Sequence, residues 1–145
     1  MEKLFKELNT YLADLVVSYV KLHDLHWNVK GKQFVEVHKY TEGLYENFAD
    51  KFDAVAEIMI MKGVKPVSNL KEYLAITNIK ELGKEEYRDI EVLEEVLADL
   101  KLLRDEARSL RIKFDEEGLF EVANLLDGDL EGYDKEIWFL SAMLK

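Results

Sequence analysis

Four long runs of apolar residues, spaced three and four positions apart, constrain this chain more than any other feature. The runs occupy residues 2–28, 34–63, 84–116 and 119–144. This spacing places apolar side chains along one face of an α-helix. Residues that end helices are scarce, since the chain has only 7 Gly and 1 Pro. The sequence therefore predicts an all-α fold made of a few long helices.

The breaks between the runs predict how the helices connect. Gly31 and Gly118 mark short connections between the first and second helices and between the third and fourth. The second and third helices are joined by residues 63–83, which contain Pro66 and a short helix through Leu70 and Leu74, capped by Ser68 or Asn69. We therefore expect residues 1–145 to form a single domain, a four-helix bundle with a short extra helix in its one long crossover. This is the ferritin-like topology.

Charge and cysteine content narrow the classes of function. Lys and Arg number 20 against 30 Asp and Glu, a net charge of −10, so we expect neither strong nucleic-acid binding nor membrane binding. With no cysteine, the chain excludes disulfide scaffolds and Fe–S clusters and leaves His, Asp and Glu as metal ligands. The first residues carry charges of both signs and no secretory signal, which predicts a cytoplasmic protein.

The three histidines, His23, His26 and His38, all lie in the first quarter of the chain. The usual di-iron site inside a single ferritin-like bundle requires Glu-x-x-His on two helices, and the sequence has no such motif. Any iron centre in this protein must therefore be built in another way.

Two pairs of candidate ligands lie on the second helix. His38 and Glu42 are four residues apart, as are Asp53 and Glu57, so each pair shares a helix face. The two pairs are separated by about 22 Å of helix, too far to share a metal within one chain. An antiparallel two-fold pairing of two chains brings the His38 end of one to the Asp53 end of the other. His26, across a short connection, is placed to join the His38 end.

Simpler interpretations of the same residues remain open. A histidine on an apolar face is more often packed or hydrogen-bonded than a ligand, and His23 is best explained as structural. Paired acids such as Asp53 and Glu57 are common on solvated helix faces. From spacing alone, the chain is a helical bundle with a candidate metal site.

A longer pattern makes the hypothesis more specific. Residues 21–31 read Lys-Leu-His-Asp-Leu-His-Trp-Asn-Val-Lys-Gly, and Phe34, His38 and the run Asp53-Ala-Val-Ala-Glu57 follow. The pattern resembles the Dps family of mini-ferritins. The resemblance is strongest over residues 8–80 and weaker in the last two helices, which match by length and by the motif Asp134-x-x-Ile-Trp138.

The resemblance implies a shell of twelve subunits in which ferrous iron is oxidised and stored as a ferric mineral. The oxidant is hydrogen peroxide by preference, or dioxygen. It further implies ferroxidase centres at two-fold interfaces, with His26, His38 and Glu42 from one subunit and Asp53 and Glu57 from its partner as metal-binding and catalytic residues. Trp27 lies beside the centre in this scheme, where it can intercept stray oxidising equivalents.

Two residues depart from the family pattern. Glu42 stands where the family usually has Asp, and Ile58 stands where Arg is common. The longer Glu42 side chain leaves open an alternative function, a helical metal-binding or structural assembly without ferroxidase turnover. Many family members bind DNA through basic tails, but here the helical pattern begins almost at Met1 and runs almost to Lys145. We therefore expect no strong DNA binding.

Overall fold

Four long helices carry most of the chain, and the computed structural model describes residues 1–145. The helices are α1 (Glu2–Asn28), α2 (Phe34–Met61), α3 (Leu70–Ile76), α4 (Asp89–Glu116) and α5 (Phe120–Met143). Two strands of two residues each, β1 (Val29–Lys30) and β2 (Tyr87–Arg88), form one parallel ladder. The predicted all-α bundle, with its short helix in the long crossover, is confirmed.

The apolar faces of the four long helices form one core. α1 packs against α2, α4 packs against α5, and the two hairpins meet mainly through α1 and α4. Leu8, Leu12 and Leu93 are fully buried, and the rings of Phe5 and Phe114 pack edge to face at a centroid distance of 5.3 Å. None of these helices is both long and apolar enough to cross a membrane.

The crossover is fastened to α1. Asn69, one of the two predicted caps, caps α3 by accepting a 2.9 Å hydrogen bond from the backbone N–H of Glu72. After α3, the buried Asp14 carboxylate accepts hydrogen bonds of 2.6 Å from both the Thr77 hydroxyl and the Asn78 backbone N–H. The long connection therefore follows the bundle surface in a fixed position.

The predicted start of the third long helix, residue 84, was wrong. α4 begins five residues later at Asp89, because Tyr87 and Arg88 pair with Val29 and Lys30 as a strand. Tyr87 fits the helical spacing of apolar residues because its side chain is buried, at 1% exposure, but the segment that buries it is extended. Pairing with a partner 58 residues earlier outweighed the local helical pattern.

Candidate metal centre

The end of α1 and the start of α2 bring two histidines face to face. His26 lies in the last turn of α1 and His38 in the second turn of α2. Their rings stack with centroids 3.7 Å apart and planes 13° from parallel. His26 is 4% exposed, whereas His38 is partly open to solvent.

Hydrogen bonds fix the orientation of both rings. Nδ1 of His26 lies 2.6 Å from the backbone carbonyl of His38, and Nδ1 of His38 lies 2.9 Å from the backbone carbonyl of His26. A carbonyl oxygen only accepts, so each Nδ1 carries the proton and each Nε2 keeps its lone pair. Both rings therefore present Nε2 as a metal ligand, oriented in the way typical of metal-binding histidines.

Glu42 completes a cluster with the two histidines. Its Oε1 lies 3.8 Å from Nε2 of His26, and one ligand atom from each of the three residues falls within 4.8 Å of the others. The Glu42 side chain is 49% exposed, so the cluster opens to solvent on this side. The extra methylene of Glu42 therefore does not prevent its carboxylate from reaching the histidines.

Thr41 supports the cluster and was missed in the sequence. Its buried hydroxyl donates to the carbonyl of Val37 at 2.9 Å and lies 3.2 Å from Nδ1 of His26. The sequence does place Thr41 near His38, because residues three positions apart are neighbours on the surface of a helix. Sequence spacing could not show that this hydroxyl faces the histidine of another helix.

Burial also sets the protonation state of His26. Loss of solvation lowers the pKa of His26, and this outweighs the opposing effect of its hydrogen bond with the His38 backbone. A lower pKa favours the neutral imidazole, which is the form that binds metals.

His23 and Trp27 lie beside the cluster. Nδ1 of His23 lies 2.8 Å from the carbonyl of Tyr19, and the His23 ring stacks on Tyr45 at 3.8 Å. The exposed Trp27 ring lies 5.3 Å from the His23 ring. His23 thus packs against the aromatic side chains around the centre and is not one of its three candidate ligands.

The chain does not bring Asp53 and Glu57 to this cluster. Both are exposed on α2, at the far end of about 22 Å of helix from His38 and Glu42. Ile58, the second departure from the family pattern, is buried within the core of its own chain. Within the chain, the candidate metal centre therefore consists of His26, His38 and Glu42.

Comparison with known proteins agrees with this fold. The family model of the ferritin-like domain, which describes the sequences of that family, matches residues 5–145 of this chain. The DNA protection during starvation protein of Helicobacter pylori (strain J99) is 38% identical to this chain. The aligned region covers 98% of this chain and 99% of the Helicobacter pylori protein.

Solved structures agree as well. Antigen TpF1 from Treponema pallidum superposes with a TM-score of 0.97 at 30% identity, covering 99% of this chain and 92% of its own. A Dps protein from Vibrio cholerae O1, described as a member of a superfamily of ferritin-like diiron-carboxylate proteins, has a TM-score of 0.94 at 27% identity, with 99% and 90% covered. The bundle thus defines a ferritin-like protein. The chain belongs to the Dps family, which stores iron and protects against stress.

Proposed function

We propose that this protein is a ferroxidase and iron store that acts in the cytoplasm. It oxidises Fe²⁺, preferably with hydrogen peroxide, at centres shared between two subunits, and deposits the ferric product as a mineral inside a hollow shell. His26, His38 and Glu42 come from one subunit, and Asp53 and Glu57 come from its two-fold partner. These five residues bind the iron and catalyse its oxidation.

One observation carries the proposal. Three ligand atoms already converge at one end of α2, while an unused pair of acids lies on the same helix about 22 Å away. A two-fold axis between antiparallel α2 helices brings each cluster to the acids of the other chain. Two identical centres of five ligands result from one interface.

The ligand types suit the chemistry. Imidazole and carboxylate both bind Fe²⁺, and anionic oxygen ligands favour Fe³⁺ over Fe²⁺, which promotes oxidation. Two Fe²⁺ ions each lose one electron, and hydrogen peroxide accepts both electrons and two protons as its O–O bond breaks, giving two water molecules. Because the two electrons are transferred together, no hydroxyl radical is released, which is the protective effect.

Exposed apolar side chains support a large assembly. Met61 on α2 is 74% exposed and Trp138 on α5 is 66% exposed, so burying both side chains between subunits stabilises an assembly. We propose a shell of twelve subunits, in which such side chains are buried between neighbours. The net charge of −10 on each chain attracts Fe²⁺ to this shell.

The same charge argues against DNA as a partner. The name of the Helicobacter pylori relative refers to DNA protection. For this chain we propose protection by consuming iron and peroxide, since an acidic surface repels the phosphate backbone.

Mixed assemblies of inactive variants test the shared centre. His26→Ala and Asp53→Ala are each expected to lose nearly all peroxide-dependent oxidation of Fe²⁺. When the two are unfolded together and refolded, one centre of each mixed pair receives both lesions and the other receives none. Random pairing then makes about a quarter of all centres intact, and activity returns to about a quarter of wild type.

A matched control uses two lesions on the same side of the centre. In mixtures of His26→Ala with His38→Ala, every centre keeps one lesion, so no activity returns. If the first mixture also stays inactive although mass-tagged chains verify co-assembly, the shared centre is wrong. A wild-type protein that binds Fe²⁺ without oxidising it supports the alternative of a metal-binding assembly without turnover.

A further inference from the structure

The three residues Tyr87, Arg88 and Asp89, here called the clamp, contact both helices that carry the histidines. On the α1 side, β2 pairs with β1 directly after α1, with Val29 opposite Tyr87. The Tyr87 hydroxyl donates a 2.9 Å hydrogen bond to Oδ2 of Asp24, two residues before His26. The clamp therefore holds the last turn of α1 by its backbone and by a side chain.

On the α2 side, Asp89 holds the connection between the histidine-bearing helices. Its Oδ2 accepts a 2.9 Å hydrogen bond from the backbone N–H of Gln33, the residue that caps the start of α2. Gly31 has φ +138°, and a Cβ placed there would lie only 2.4 Å from Oδ2 of Asp89. Glycine is thus needed at position 31 both for its backbone conformation and for the close approach of Asp89.

We propose that the clamp positions His26 and His38 for metal binding, an inference that rests on the proposed function of these residues. The shortest hydrogen bond of each ring goes to the backbone carbonyl of the other histidine, and Thr41 beside His26 lies on α2. The geometry of the two rings therefore depends on how α1 and α2 are placed relative to one another. The clamp is a third element that contacts both helices near this point. Asp89 and Tyr87 are accordingly positioning residues, and neither touches the metal.

The state of Asp89 suits this role. Its other oxygen, Oδ1, accepts a 2.8 Å hydrogen bond from the N–H of Ile90 in the first turn of α4. The hydrogen bond from Gln33 is the main cause that lowers the pKa of Asp89, and the hydrogen bond from Ile90 lowers this pKa further. The ionised carboxylate therefore joins the N-terminus of α4 to the N-terminus of α2.

The affinity for Zn²⁺, which has no redox chemistry, tests the clamp in the assembled protein. Isothermal titration calorimetry is expected to show about tenfold weaker binding for Asp89→Ala, comparable to the loss of other residues that orient metal ligands. Asp89→Asn retains an acceptor for Gln33 and is expected to recover most of the affinity. Tyr87→Phe, which removes only the hydroxyl, is expected to weaken binding less than Asp89→Ala.

Glu94→Ala is the matched control. Glu94 is exposed on the second turn of α4, and its side chain makes no hydrogen bond or ion pair with α1, α2 or the clamp. If Glu94→Ala weakens Zn²⁺ binding as much as Asp89→Ala, the effect comes from any loss of an acid on α4 and the clamp is wrong. Should Asp89→Ala fail to assemble, Tyr87→Phe decides: weaker Zn²⁺ binding than in wild type supports the proposal, and wild-type affinity overturns it.

A measurement without metal separates this inference from the proposed function. Hydrogen exchange at the amides of residues 33–38 is expected to accelerate in Asp89→Ala and to stay at the wild-type rate in Glu94→Ala. If wild type has no Zn²⁺ site that His26→Ala removes, the proposed function is wrong. If that site is present but neither its affinity nor the exchange rates respond to Asp89→Ala, the clamp alone is wrong.

Discussion

His26 and His38 each donate the proton on Nδ1 to the backbone carbonyl of the other. This reciprocal pair of hydrogen bonds fixes both imidazoles in one tautomer in the metal-free protein, with the two Nε2 atoms free as ligands. In most metal sites separate residues orient each histidine, whereas here each ligand residue orients the other. Replacing either histidine by alanine therefore removes one ligand. It also removes one of these two hydrogen bonds between α1 and α2, so the carbonyl that orients the remaining histidine is held less firmly.

The charge of Glu42 is expected to matter more than its length. Glu42→Gln removes the negative charge beside His26 and is expected to weaken Zn²⁺ binding at least tenfold. Glu42→Asp keeps the charge and is expected to bind within a few-fold of wild type. Calorimetric titration of both variants checks this, and equal affinities in the two would exclude Glu42 as a ligand.

Metal binding should depend on pH through His26. Because burial lowers the pKa of His26, the ring is neutral near pH 7, and Zn²⁺ displaces little or no proton from it. As the pH falls towards 5, protons compete with the metal and proton release on binding grows. Titrations in buffers of different ionisation enthalpy measure the total release at the centre. An NMR pH titration of the His26 ring in the metal-free protein assigns it, and a ring still protonated at pH 7 would contradict the prediction.

Stability should depend on pH through Glu106. Burial, together with its contact with Asp14, raises the pKa of Glu106 to about 8. A raised carboxyl pKa stabilises the fold below the unfolded value of 4.5, and this contribution is lost as the pH rises through 8. The amide of Glu106→Gln can donate to Asp14 and accept from Asn78 at any pH. The variant is thus expected to be about 1–2 kcal/mol more stable than wild type at pH 9, or several degrees in Tm.

Thermal unfolding from pH 5 to pH 9 measures this difference. Glu116→Gln, which replaces an exposed acid on the same helix, serves as the control and is expected to follow wild type. A parallel pH profile for wild type and Glu106→Gln would show that Glu106 does not carry the dependence.

The particle should contain twelve chains. Light scattering at neutral pH is expected to give a mass about twelve times the 17.0 kDa of one chain. A monomer would exclude both the shell and the shared centre, whereas a stable dimer would exclude only the shell.

Plasmid DNA should not bind to the assembled protein. With a net charge of −10 on each chain, association with phosphates is unfavourable at moderate salt. An electrophoretic mobility assay without divalent cations checks this, and a retarded band would show a basic surface that the overall charge conceals.

The sequence by itself determined the long helices and the separation of the ligand pairs. Apolar spacing and a few glycines predicted four helices, because both act over a few neighbouring residues. The distance between His38 and Asp53 follows from the rise of a helix and needs no tertiary information. A single centre that holds both ligand pairs within one chain was thereby excluded from the sequence. Completion of the His26, His38 and Glu42 cluster by a second chain remains a prediction.

Only the tertiary structure decided how the centre is held. Local pattern placed Tyr87 in a helix, yet its strand partner Val29 and its hydrogen-bond partner Asp24 lie near the end of α1. The hydrogen bond from the Gln33 N–H to Asp89 and the reciprocal hydrogen bonds of His26 and His38 likewise join separate helices. Such contacts depend on how the helices pack and on the path of the connections between them. The periodicity of each helix identifies its buried face but does not determine which distant backbone groups meet.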